Sequence, residues 1–177
     1  MVRLDFLRHG ETEQGGGLRG SLDDQLTAAG WQQMIATTAV ASGWQRIVSS
    51  PLRRCAHFAE RLADERGLPI EYNDNLRELH FGDWEGKHPS ELMLDQADEL
   101  GRFWTDFAAR IDTALQTLHL AYAGQRILVV SHAGVMRLLL ARARRLAPAD
   151  LLQVVVGYAE LVGLEFAPQQ GLKEVGL

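Results

Sequence analysis

Apolar positions along this chain come in short dense runs, separated by longer stretches in which they recur every three or four residues. These are the patterns of buried strands and of one-sided helices. Val2 to Leu7 is a dense run ending at a glycine-containing turn, which predicts a strand feeding a loop. Thr27 is placed to cap a helix running to about Ser42, and Arg46 to Ser49 follows as a second strand. Ser50-Pro51 predicts a helix start and Gly67 its end, because Ser caps free amides and Pro fits a first helical turn. Pro69 to Tyr72 is a third candidate strand. From Asn73 to about His88 no period holds, so a long surface loop is expected there. Pro89 opens a short helix, and Phe103, Phe107, Ile111, Leu115 and Leu118 carry a longer one from about Leu100 to Ala123. Ile127 to Val130 is apolar throughout, as in a strand covered on both faces; a helix begins near Gly134. Tyr158 to Phe166 is the last predicted strand, ahead of a tail expected to be loosely held.

Strands alternating with helices predict an α/β fold, a three-layer α/β/α sandwich around a mostly parallel central sheet, read as one domain over 1–177. In such sheets ligands bind beyond the C-terminal strand ends, where loops and helix N-termini offer free amides. Composition changes this picture only in its partners. Eighteen Lys plus Arg against twenty-three Asp plus Glu gives a net charge of −5, which argues against nucleic acid and anionic membrane as partners. A phosphate site must then be a local basic cluster. The single Cys55 cannot close an intramolecular disulfide, no apolar run reaches the ~18 residues of a membrane span, and the N-terminus lacks signal-peptide features. Cytoplasm is the expected location.

Three segments fall at the predicted rim. Leu7-Arg8-His9-Gly10-Glu11-Thr12 follows the first strand, and Val129-Val130-Ser131-His132-Ala133-Gly134 runs from a strand into a helix start. In Ser49-Ser50-Pro51-Leu52-Arg53-Arg54, two arginines occupy a helix N-terminus, where the macrodipole favours acidic residues unless an anion is bound. His9, Arg54 and His132 can therefore converge. A fourth segment, Leu76-Arg77-Glu78-Leu79-His80-Phe81-Gly82-Asp83-Trp84-Glu85-Gly86, lies in the long loop.

Arg8-His9-Gly10-Glu11-Thr12, the Ser50-Pro51-Leu52-Arg53-Arg54 helix start, Glu78 ahead of Gly82-Asp83-Trp84-Glu85-Gly86, and Ser131-His132-Ala133-Gly134 occur in this order across nearly the whole chain. Together they resemble the histidine phosphatase superfamily. The resemblance implies a phosphoglycerate mutase-like fold and a metal-independent phosphomonoester hydrolase with no cofactor. It implies His9 as the nucleophile, Arg8, Arg54 and His132 as holders of the phosphoryl oxygens, and Glu78 as general acid and base. Thr12, Glu11 and Ser131 stand beside strand ends, where such side chains more often orient backbone. Of these, Thr12 is kept with Gly20 as a candidate substrate contact. Gln14 and Gly15 stand where the superfamily often has Trp-Asn.

Phosphoglycerate mutases of the superfamily carry an insertion between the loop glutamate and the second histidine, whereas here the two are 132 − 78 = 54 positions apart. A phosphatase with an open pocket is favoured, since access of water drains a phosphoenzyme. The stretch from Gly15 to Thr27 resembles the bacterial α-ribazole-5′-phosphate phosphatases of the cobalamin pathway, a branch whose substrate carries a flat benzimidazole. Phe81 and Trp84 are candidate aromatic walls for it, while Trp104 reads as core. The expected partner is a small-molecule phosphate ester; a homodimer is left open. The alternatives are a broad-specificity or sugar-phosphate phosphatase or mutase of the same family, and a phosphate-binding module without turnover. His80, Asp83, Glu85 and His88 match no metal-ligand spacing.

Overall fold

A computed structural model describes residues 1–88, 97–147, 150 and 153–177, with side chains on all of these except 97–103. The chain runs β1 (Val2–Arg8), α1 (Ala28–Ala39), β2 (Arg46–Ser49), α2 (Arg53–Arg66), β3 (Ile70–Tyr72), α3 (Ala97–Tyr122), β4 (Arg126–Ser131), α4 (Ala133–Ala143), β5 (Leu161–Ala167) and β6 (Gly171–Val175). Short 3-10 turns at Asp74–Leu76 and Gly82–Trp84 interrupt the loop after β3. One sheet of order β3-β2-β4-β1-β5-β6 results, its first four strands parallel and β5 and β6 antiparallel. This is the expected three-layer α/β fold.

Side chains alternate across the sheet with a period of two. Leu4, Phe6, Val48, Ile127 and Val129 share a core with Phe107, Ile111, Leu115 and Leu118 of α3 and with Met136 and Leu139 of α4. Leu7, Ile47, Leu128 and Val130 join Met34 of α1 and Phe58 and Leu62 of α2 in a second core. Each fully buried side chain of this kind contributes ~1.5–3 kcal/mol, so the two covered faces fix the register of the central strands. Asp5 breaks the pattern from within β1. Its carboxylate is fully buried but accepts from Trp44 Nε1 (2.7 Å), Arg126 Nε (2.7 Å) and Arg3 Nε (3.0 Å), which offsets its desolvation.

Local signals act as expected at α1, where the Thr27 side chain accepts from Gly30 N (2.9 Å), and at α2, which Gly67 closes. The start of α2 differs. The helix begins at Arg53 with Leu52 at the N-cap position and no side-chain cap there; the Ser50 hydroxyl accepts from Leu52 N (3.4 Å) and lies 2.8 Å from His132 Nε2. The last predicted strand starts later, at Leu161, since Tyr158 and Ala159 form a turn. The tail is not loose: it forms β6, paired with β5 from Gly163↔Val175 to Ala167↔Gly171 and tied to α4 by Arg144–Glu174 (2.8 Å). An edge strand needs few apolar residues, so its polar sequence hid it. The short helix expected at Pro89 lies outside the described residues.

Candidate active site

Register brings the rim together. Arg8 of β1 pairs with Ser131 of β4, and Ser49 of β2 with Val130, so His9, Ser50 and His132 leave the sheet side by side. His9 N bonds to Ser131 O (3.0 Å) and Ser50 N to Val130 O (2.9 Å). The His9 and His132 rings lie with centroids 5.4 Å apart, edge to face at 64°.

His9 Nδ1 lies 2.8 Å from the Gly10 carbonyl. A carbonyl can only accept, so Nδ1 carries the proton and Nε2 keeps its lone pair. Burial, then the Arg54 charge and more weakly that of Arg8, push the His9 pKa down from 6.5 to about 3, against the opposing Gly10 hydrogen bond. Burial, followed by Arg54 and His9, likewise holds His132 well below the usual histidine range. Cys55 packs against His132 with Sγ 3.8 and 3.7 Å from the two ring nitrogens and lies 3.4 Å from Ser131 O; burial pushes its thiol pKa up.

The cations come from two directions. Arg54, fully buried at the start of α2, donates to the carbonyls of Leu22 and Gly20 (2.9 Å for the latter) and lies 3.7 Å from Asp24 Oδ1. Arg8 donates to Val156 O (2.6 Å) and lies under the Tyr158 ring, 4.2 Å from its centroid. Burial works against its charge, pulling its pKa down while Tyr158 and Glu78 oppose that shift. Arg8 Nε, Arg54 Nε and Thr12 Oγ1 are all buried without a hydrogen-bond partner among the described residues. Such donors ordinarily find one, and charged groups without one are costly. Arg53, the other arginine of the pair, turns away and binds Asp23.

Glu78 reaches the rim from the loop. Its Oε1 accepts from Leu79 N (2.9 Å) and its Oε2 from Gly134 N (3.1 Å), at the positive end of α4. A Cβ on Gly134 would lie 2.2 Å from Glu78 Oε1, so any other residue there would displace the carboxylate from this position. Glu11 and Ser131 orient backbone and neighbours, through Thr27 Oγ1 to Glu11 Oε2 (2.8 Å) and Ser131 Oγ to Leu76 O (3.0 Å).

The remaining sequence candidates are arranged differently. Gly20 stands behind Arg54, accepting from it, with φ +52° and the Glu85 carboxylate 2.1 Å from where a Cβ would be. Glu85 stitches two loops, accepting from Ser21 N (2.7 Å), Ser21 Oγ (2.6 Å) and Phe81 N (3.2 Å). Phe81 packs against the α3 and α4 core, and Trp84 is 5 % exposed, so Trp84 has little surface to offer as a pocket wall. The aromatic beside the histidines is Tyr158, 39 % exposed and with its centroid 6.2 Å from His9. Sequence reading missed it, along with Asp24 and Arg110. Trp104 packs partly against the core, edge to face with Phe107. Among the described residues no three His, Cys, Asp or Glu side chains form a metal-ligating group.

A mostly parallel sheet whose C-terminal rim gathers two histidines, two arginines and one carboxylate defines an α/β protein with a cluster of basic and acidic side chains at one end of the sheet. The chain belongs to the histidine phosphatase superfamily, whose branch 1 family model matches residues 4–175. The adenosylcobalamin/alpha-ribazole phosphatase of Escherichia coli (strain K12) is 32% identical over 159 residues, 80% of this chain and 78% of that protein. The glucosyl-3-phosphoglycerate phosphatase of Mycolicibacterium vanbaalenii is 38% identical over 133 residues, 68% of this chain and 58% of that protein. The solved alpha-ribazole phosphatase from Shigella flexneri superposes with a TM-score of 0.80 at 26% identity, covering 99% of this chain and 95% of that one. Family and relatives support phosphatase activity and the phosphoglycerate mutase-like fold; the relatives divide over substrate.

Proposed function

We propose that this chain hydrolyses a small phosphomonoester through a phosphohistidine on His9, without a metal ion. The observation that carries the reading is the pair of guanidiniums, Arg54 buried and Arg8 half-buried, whose buried Nε atoms have no hydrogen-bond partner among the described residues, around a histidine whose Nε2 is unprotonated. Arg8, Arg54 and His132 hold the phosphoryl oxygens, and Thr12 adds its hydroxyl. His9 Nε2 attacks phosphorus in line, an N–P bond forms, the ester P–O bond breaks, and the departing alkoxide takes a proton from Glu78. Glu78 then removes a proton from water, which attacks the phosphohistidine and releases phosphate. Charge on the transferred group spreads over its equatorial oxygens, so a fixed cage of cations does the work that metal ions do elsewhere. The unprotonated Nε2 of His9 serves this scheme.

The substrate proposed is α-ribazole 5′-phosphate, in cobalamin biosynthesis. The likeness to alpha-ribazole phosphatases over most of the chain supports it, and Tyr158, not Trp84, supplies the aromatic face for a benzimidazole. A sugar-phosphate substrate is the second reading, favoured by the 38% identity to a glucosyl-3-phosphoglycerate phosphatase. Phosphate release in excess chelator decides between them, with α-ribazole 5′-phosphate, glucosyl-3-phosphoglycerate, 3-phosphoglycerate and p-nitrophenyl phosphate compared by kcat/KM and His9→Ala as control. A preference of orders of magnitude for α-ribazole 5′-phosphate is expected. Equal turnover of all four would remove the substrate assignment and leave the chemistry, and dependence on a metal would remove the metal-free scheme.

A further inference from the structure

Between β3 and the 3-10 turn at Gly82–Trp84 the chain belongs to no sheet, yet it must deliver Glu78 to the rim. Both anchors of the Glu78 carboxylate are backbone amides, Leu79 N on its own loop and Gly134 N on α4. Where the carboxylate sits therefore depends on where the loop backbone sits. One side chain spans that backbone. Arg110, on α3, donates through Nη1 to the carbonyls of Asp74 (3.3 Å), Asn75 (2.9 Å) and Arg77 (2.9 Å), and through Nη2 to that of Glu78 (3.1 Å). The guanidinium also lies 5.0 Å from the centroid of Phe107, and Phe107 and Ile111 beside it on α3 are buried in the core. It is thus held on a helix while it holds a segment that lies outside the sheet.

We infer that Arg110 is a positioning residue for the Glu78 carboxyl, an inference that rests on Glu78 being the proton donor proposed above. A guanidinium offers several donors in one plane, so it can gather four carbonyls of one segment. Proton transfer is sensitive to misplacement of the donor by an ångström or less. Loss of the clamp therefore reaches the chemistry through Glu78 while the phosphate cage of Arg8, Arg54 and His132 stays in place.

Leaving-group dependence separates this role from general damage to the fold. The departing oxygen of glycerol 3-phosphate needs a proton; that of p-nitrophenyl phosphate leaves as a stable phenolate. The term kcat/KM reports steps up to alcohol release, and the ratio of the two esters does not depend on the fraction of protein folded. Glu78→Gln should lower kcat/KM for glycerol 3-phosphate by about 10²-fold or more and change p-nitrophenyl phosphate far less. Arg110→Met should follow the same direction, losing about 10-fold or more on the alkyl ester and no more than about 3-fold on the aryl ester. Arg110→Lys, which keeps the charge and fewer of the bonds, should fall between Met and wild type, and it provides the measurement if the Met variant does not fold. If Glu78→Gln shows the split and the Arg110 variants reduce both esters equally, or neither, Arg110 only glues the loop and the inference falls. If Glu78→Gln itself shows no split, the reading of Glu78 as the acid falls first.

Discussion

Burial and the neighbouring guanidiniums keep His9 and His132 neutral, and this ties stability to pH at the level of single residues. The folded-state pKa of His9 lies below its unfolded value, so on acidification the unfolded chain takes up the proton first. The contribution is therefore fully present above pH 6.5 and lost as pH falls from 6.5 towards 3. Urea unfolding of wild type between pH 7 and 4 should show a loss that His9→Asn lacks, up to about 1.4 kcal/mol per pH unit. Parallel curves for the two proteins would show that His9 is not held neutral. His9, Arg54 and His132 were legible in the sequence because each stands immediately beyond a strand or at a helix start, where position alone implies the rim. Tyr158 and Arg110 were not. Tyr158 meets Arg8 150 positions away through a turn whose residue Ala159 has φ +52°, and Arg110 works through backbone carbonyls, which leave no residue-type signature.

Among the elements, α4 does most to complete the site, because its first turn supplies an amide to Glu78 and has no side chain in the way. Gly134→Ala places a methyl where Glu78 Oε1 lies. It should reduce turnover of alkyl phosphates by about 10²-fold while thermal stability falls little, since alanine favours helix over glycine. Near-wild-type kcat/KM in this variant would mean that Glu78 acts from elsewhere. Strand and helix existence followed from hydrophobic periodicity, and β2 spans Arg46–Ser49, the expected bounds. The periods said least where polar contacts decide. α2 starts at Arg53, with the Ser50 hydroxyl shared between Leu52 N and His132, and β6 was hidden because an edge strand with Arg144–Glu174 on it needs no apolar run.

At the scale of the molecule, a chain of net charge −5 brings Arg8 and the buried Arg54 to the same end of one sheet. The layered fold was legible because helices alternate with strands and the β4 run is apolar on both faces; loop contacts such as that of Glu85 with Ser21, 64 positions apart, were not, because they join segments remote in sequence. The central claim is the covalent intermediate on His9. Rapid quenching of the protein in chelator with a ³²P-labelled phosphomonoester, followed by peptide mapping, tests it most directly. An acid-labile, base-stable label on the peptide that contains His9, absent from His9→Ala, is the expected result. Full turnover with no trapped label, or label on any other residue, would contradict it.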